Sequence, residues 1–199
     1  MVPYEYLSLD IKIPNWKSKI KDFDQRQMHF DRGCSLIDSE SKKIFSDLGL
    51  IPYYGMLWSW VSSDNINETN YHIDTAPSSL ILTLFSVNIL LDGTPALTEW
   101  VDESKCEEII DSGRDPVYNT THRIFKPDVM PDYSASINNF PMLIRVDIPH
   151  RVRRDLIRST RWTYSMRFVS KQMKSISFVE AKELLNMCII RESSSFASQ

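Results

Sequence analysis

This sequence predicts a mainly β (α+β) domain, a sandwich or jelly roll with helices ahead of it and one helix behind it. Three observations carry that prediction. From residue 50 onward, short runs rich in aromatic and β-branched residues recur between turn signals. One of them, "RWTYSMRFVS", alternates polar and apolar residues along its length, the period of a strand. Helical signatures are confined to the two ends, so strands do not alternate with helices as they would around a parallel sheet. At 199 residues the chain is read as a single domain. Residues 1–50 are expected to form a helical N-terminal support, 51–170 the β core, 171–191 the C-terminal helix, and 192–199 a disordered Ser-rich tail.

Residues 16–30 and 39–49 read as helices. The second has Ser39 as its expected N-cap and closes on a glycine. "YYGMLWSWVSS" and "YHID" read as strands, and "SLILTLFSVNILLDG" as one long bent strand or two. Residues 92–138 are the least regular part, acidic at first and rich in proline loops at the end, with "ALTEWV" as a strand within them. Two firmer strands follow, "MLIRVDIPH" and "RWTYSMRFVS". "SFVEAKELLNMCIIRE" is amphipathic at helical spacing, with Ser177 placed to cap it. There is no internal repeat and no Gly-rich phosphate loop.

A net charge of −3 and a pI near 5.8 give no general attraction to duplex nucleic acid or to an anionic membrane. Three widely spaced cysteines form neither a disulfide framework nor a zinc knuckle, and a reducing cytoplasm is the expected compartment. The N-terminus lacks the pattern of a signal peptide. The longest uncharged run, Thr75–Leu91, is too short and too polar to span a bilayer.

Candidate chemistry begins at His72 and Asp74. Two residues apart on a strand, they share a face, with Ile73 opposite. If "MLIRVDIPH" is one strand, Ile144, Val146, Ile148 and His150 share a side, and an inward apolar face carries His150 inward. On the last strand Arg161, Thr163, Ser165 and Arg167 share one face and Trp162, Tyr164, Met166 and Phe168 the other. An edge strand would simply solvate the polar face. In a jelly roll flanked by helices, the apolar face packs outward and the arginine face lines an interior suited to a carboxylate.

In this order the residues resemble the iron(II)- and 2-oxoglutarate-dependent oxygenases. The resemblance rests on the His-x-Asp, a distal His in "IPHRV" 78 positions after His72, and Arg-x-Thr eleven positions later. It covers roughly residues 56–168 and takes in Asn88 and the Glu99-Trp100 strand. It is nearest to small prolyl-hydroxylase-like members seen in phages and marine microbes. The resemblance implies a double-stranded β-helix, a cupin-like jelly roll. It further implies Fe(II) held by His72, Asp74 and His150 as the metal and catalytic residues. 2-Oxoglutarate would bind iron through its 2-oxo acid end, with its distal carboxylate clamped by Arg161 and Thr163. With O2, a small-molecule or peptidyl substrate would be hydroxylated and succinate and CO2 released.

Other residues stay open between two readings. Arg167 serves the other end of the cosubstrate or the substrate, or is a surface residue. Asn88 reaches the cosubstrate or satisfies backbone groups beside a turn. Trp58 and Trp60 read as core rather than as a substrate platform. His29 reads as a helix end and His122 as a loop residue. The basic stretch around "HRVRRDLIRSTR" is a solvated loop or a basic rim steering anions. Segment 92–138 is expected to supply a lid or wall of the substrate pocket. Two other classes compete: a non-catalytic jelly-roll binding module, and a zinc hydrolase using the same three ligands.

Overall fold

The computed structural model describes residues 1–20, 28–60, 71–74, 80–114, 121–125, 130–153 and 161–191. Twelve described strands form two antiparallel six-stranded sheets, an arrangement compatible with a β-sandwich. The first sheet runs β1 (Tyr4–Tyr6), β10 (Met142–Arg145), β5 (Phe85–Gly93), β12 (Arg161–Ser170), β3 (Leu50–Trp60) and β2 (Met28–Arg32). The second runs β7 (Glu108–Arg114), β8 (Thr121–Phe125), β4 (Tyr71–Ile73), β11 (His150–Arg153), β6 (Leu97–Trp100) and β9 (Tyr133–Ser136). From β3 to β6, and again from β10 to β12, each successive strand changes sheet.

The alternation of β12 decides where the core sits. Trp162, Tyr164, Met166 and Phe168 leave the first sheet on its outer face. There they cluster with Phe45 of α1 (Ser39–Asp47) and with Phe178 and Ala181 of α2 (Phe178–Leu184). Phe168 sits 4.8 Å from Phe45, ring to ring, and stacks on Phe85 at 5.7 Å. Burying these large side chains contributes roughly 1.5–3 kcal/mol each, so the helices hold the sheet from behind. On the inner face, Met142 and Ile144 of the first sheet meet Trp100 and Ala135 of the second in a separate cluster. Arg161, Thr163, Ser165 and Arg167 are all buried on that inner side of β12.

Tyr164 shows how the outer layer is locked. Its hydroxyl donates to Asp31 Oδ2 on β2 at 2.6 Å. To get there the ring passes over β3 at Gly55, which pairs with Asp31 on one side and Met166 on the other. Asp31 also accepts from the Ser35 and Leu36 amides and the Ser35 hydroxyl. Burial alone would raise the Asp31 carboxyl, but the hydrogen bonds of Ser35, Tyr164 and Leu36 outweigh it and hold it low. The same burial pushes the neighbouring Cys34 thiol up to about 12, so it stays protonated.

Several expectations change. The helix read over 16–30 is only a single 3-10 turn, Trp16–Lys19, and Met28–Arg32 is the edge strand β2; residues 21–27 lie outside the described set. His29 is therefore on a strand, and the N-terminal fifty residues contribute β1 and β2 as well as α1. The pairing of β2 with β3 is non-local, which a local pattern does not register. The cap of α1 is Asp38, whose side chain accepts from the Ser41 amide, rather than Ser39. At α2 the expected Ser177 cap is present as a capping box with Glu180. That helix is shorter than the 171–191 expected: it ends at Leu184 and a 3-10 turn, Asn186–Cys188, follows. Segment 92–138 is more regular than expected, holding β6 to β9, and His122 lies on β8 rather than in a loop. The tail 192–199 lies outside the described residues. No described helix is long and apolar enough to cross a membrane.

Candidate metal centre

The strand expected over "MLIRVDIPH" is two strands in different sheets. β10 ends at Arg145 in the first sheet, the chain crosses over residues 146–149, and β11 begins at His150 in the second. His150 thus reaches the interior by a sheet crossing, not by alternation along one strand. It lands directly opposite His72 on β4, with ring centroids 4.6 Å apart. The crossing segment also holds Asp74, whose amide donates to the Val146 carbonyl at 3.1 Å. Behind His150, β6 places Trp100, whose indole donates to the Arg145 carbonyl and which stacks on Tyr4.

The result is one cluster. One potential ligand atom from each of His72, Asp74 and His150 lies within 4.8 Å of the others. His72 Nε2 is 3.2 Å from Asp74 Oδ1, and His150 Nε2 is 3.8 Å from Asp74 Oδ2. An octahedral ion with bonds of about 2.1 Å sets adjacent ligand atoms about 3 Å apart, so modest adjustment fits this set to a cation. The tautomer also suits metal binding. His150 Nδ1 donates to the Ile148 carbonyl at 3.0 Å, which leaves the Nε2 lone pair directed to the cluster.

Arg167 completes the site. Its guanidinium pairs with Asp74 Oδ2, and at 2 % exposure it is no surface residue. Burial would raise the Asp74 carboxyl. The Arg167 charge, followed by His150 and His72, more than reverses this and holds it well below the usual carboxylate range. Burial, reinforced by the His72 and Arg167 charges and opposed by Asp74, pushes His150 down to about 4.

A pH dependence follows. The unfolded chain protonates His150 below its ordinary value of 6.5, whereas the folded metal-free protein does so only near 4. Between those values the unfolded state holds the extra proton, so acidification favours unfolding, by up to about 3 kcal/mol. The Asp74 contribution is present above 3.8 and is lost only at lower pH. Urea midpoints of metal-free protein should fall from pH 6.5 to 4, and fall less steeply in His150→Gln. Equal slopes would refute the assignment.

Arg161 and Thr163 lie on the same inner face of β12, both buried, with the Arg161 guanidinium 6.0 Å from the half-buried Trp58 ring. Trp58 therefore belongs to the interior wall and not to a closed core; of Trp60 only the backbone is described. Asn88 is not beside a turn. It lies within β5, between Met142 and Ser165, and its Oδ1 accepts from the Ser86 hydroxyl at 2.9 Å.

Neither reading of the basic stretch describes Arg151 and Arg153. Both lie on β11 and both pair with Glu99 of β6, at 2.7 and 3.2 Å. Glu99 is 1 % exposed. The signal was legible: alternation in "HRVR" puts both arginines opposite His150, and "TEW" sets a lone acid in an apolar strand. Residues 154–160 lie outside the described set. No protein-family model matches the chain, and no curated protein matches it.

Proposed function

We propose that this chain is an Fe(II)- and 2-oxoglutarate-dependent dioxygenase that hydroxylates a small-molecule or peptidyl substrate. The observation that carries the reading is the His72, Asp74 and His150 group, gathered on the inner side of one sheet and paired with an arginine-bearing inner strand of the other. Two imidazoles and one carboxylate are the donor set of non-haem iron sites that keep three positions open. The change of sheet at successive strands supports the finer fold reading, a double-stranded β-helix of the jelly-roll kind. When bound, Fe(II) with 2-oxoglutarate and O2 supplies the oxidation, in which one oxygen atom enters the substrate C–H bond and succinate and CO2 leave.

The chain's own residues do the rest. His72, Asp74 and His150 would hold the ion. Arg167 keeps Asp74 ionised and oriented at the metal end. Arg161 and Thr163 lie six and four residues before it on the same buried inner face, and they would hold the distal carboxylate of the cosubstrate.

Protein loaded anaerobically with Fe(II) and 2-oxoglutarate, then exposed to oxygen, should release succinate slowly even without substrate. His72→Ala should release none. Arg161→Met should raise the 2-oxoglutarate KM at least about tenfold, the value of one lost charge-assisted pair, with metal affinity unchanged. Absence of both cosubstrate binding and succinate in the wild type would overturn the proposal.

A further inference from the structure

Among the described residues, the register between β4 and β11 consists of one pair, His72 and His150. Two neighbouring rows of side chains cross these strands on opposite faces. The inner row is His72, His150 and Trp100, from β4, β11 and β6. The outer row consists of their sequence neighbours Tyr71, Arg151 and Glu99. It is continuous: the Arg151 guanidinium lies 4.5 Å from the Tyr71 ring centroid, and its Nε donates to Glu99 Oε2 at 2.7 Å. Arg153, on the same face, engages the second oxygen of Glu99 at 3.2 Å. All three members of the outer row are buried.

A residue's backbone is shared by its neighbours, so what sets the spacing of Tyr71, Arg151 and Glu99 also sets that of His72 and His150. A planar guanidinium suits this role because it stacks on an aromatic ring with its face while its edge takes a carboxylate. We infer that Tyr71, Arg151 and Glu99 are positioning residues for the metal centre, a clamp on the reverse of the sheet that fixes the separation of the two histidine ligands. The inference rests on the metal-site reading above.

The test uses Co(II) as the probe, titrated anaerobically into the full chain and read by affinity and by the visible ligand-field bands at saturation. Tyr71→Leu keeps apolar volume without the ring, and Arg151→Lys keeps the charge without the planar fork. Both should weaken Co(II) binding about 10–100-fold, the range of supporting contacts around metal ligands, and shift the bands. Tyr71→Phe, which keeps the ring, should restore the wild-type values. Tyr164→Phe, on the other sheet, lowers stability without touching the clamp and should leave the bands unchanged. Wild-type affinity and bands in both Tyr71→Leu and Arg151→Lys would overturn the clamp and leave the metal site standing. A wild-type protein that binds no Co(II) would overturn both. If Tyr164→Phe shifts the bands as much as Tyr71→Leu does, the effect is general loosening and the clamp is again refuted.

Discussion

Exchange of Asp74 for alanine is expected to abolish divalent-metal binding and, with it, succinate formation. Asp74 lies against every other member of the site, contacting His72, His150 and Arg167. Changes to supporting contacts already cost about 10–100-fold in metal affinity, so loss of a ligand should cost more than about 100-fold. The substitution also leaves the Arg167 charge buried beside two imidazoles. Breaking a buried pair from one side costs roughly 3–5 kcal/mol, and the lower end applies because the Asp74 side chain keeps 24 % of its surface exposed. Two measurements separate these effects. Metal should raise the melting temperature of the wild type, since a ligand of the folded state stabilises it by mass action, and should not raise that of Asp74→Ala. The metal-free variant should unfold at lower urea than metal-free wild type. A variant that still gains stability from metal would remove Asp74 from the ligand set.

Gly55→Ala is expected to be among the most damaging changes outside the site. A Cβ at position 55 would lie 2.0 Å from the Tyr164 hydroxyl oxygen and 2.3 Å from the ring carbon that bears it. The residue is needed for space, because Tyr164 crosses β3 there to reach Asp31. The ring is packed among Phe45, Leu57 and Phe178 in the same buried cluster, so it cannot yield cheaply. Overpacking costs about 1–3 kcal/mol, and loss of a hydrogen bond to a charged group about 1.5–3. The sum is a large share of the roughly 5–15 kcal/mol that holds a domain folded. Urea unfolding should show a much lower midpoint. Tyr164→Leu should cost stability by itself, yet make Gly55→Ala far less harmful in the double variant. Additive losses would show that the clash is not the cause.

The outer and inner faces of β12 were readable from sequence because alternation is local: ten residues carry two faces whatever they pack against. Helix α2 was readable at its start for a similar reason, since Ser177 and Glu180 cap it within one turn. The edge strand β2 was not, because its structure comes from β3 and from Tyr164, which bonds across 133 residues. Asn88 and Arg167 stayed ambiguous for the same reason: a residue type does not report which sheet faces it.

His150 is the clearest division between the two kinds of information. Its order and spacing after His72 and Asp74, which resemble those of the iron(II) oxygenases, mark it as a possible ligand. Alternation along an unbroken strand does not bring it inward: the chain leaves one sheet after Arg145 and joins the other at His150. Local sequence is enough for the two faces of β12 and the capping box of α2, properties of residues within a few positions of each other, and for the identities of the side chains able to hold a metal. Long-range packing is what sets His72 opposite His150, brings Arg167 to Asp74, and gives Glu99 two arginines from the basic stretch. Those pairings join residues 52 to 93 positions apart. Their register depends on how two sheets exchange strands, which no local pattern encodes.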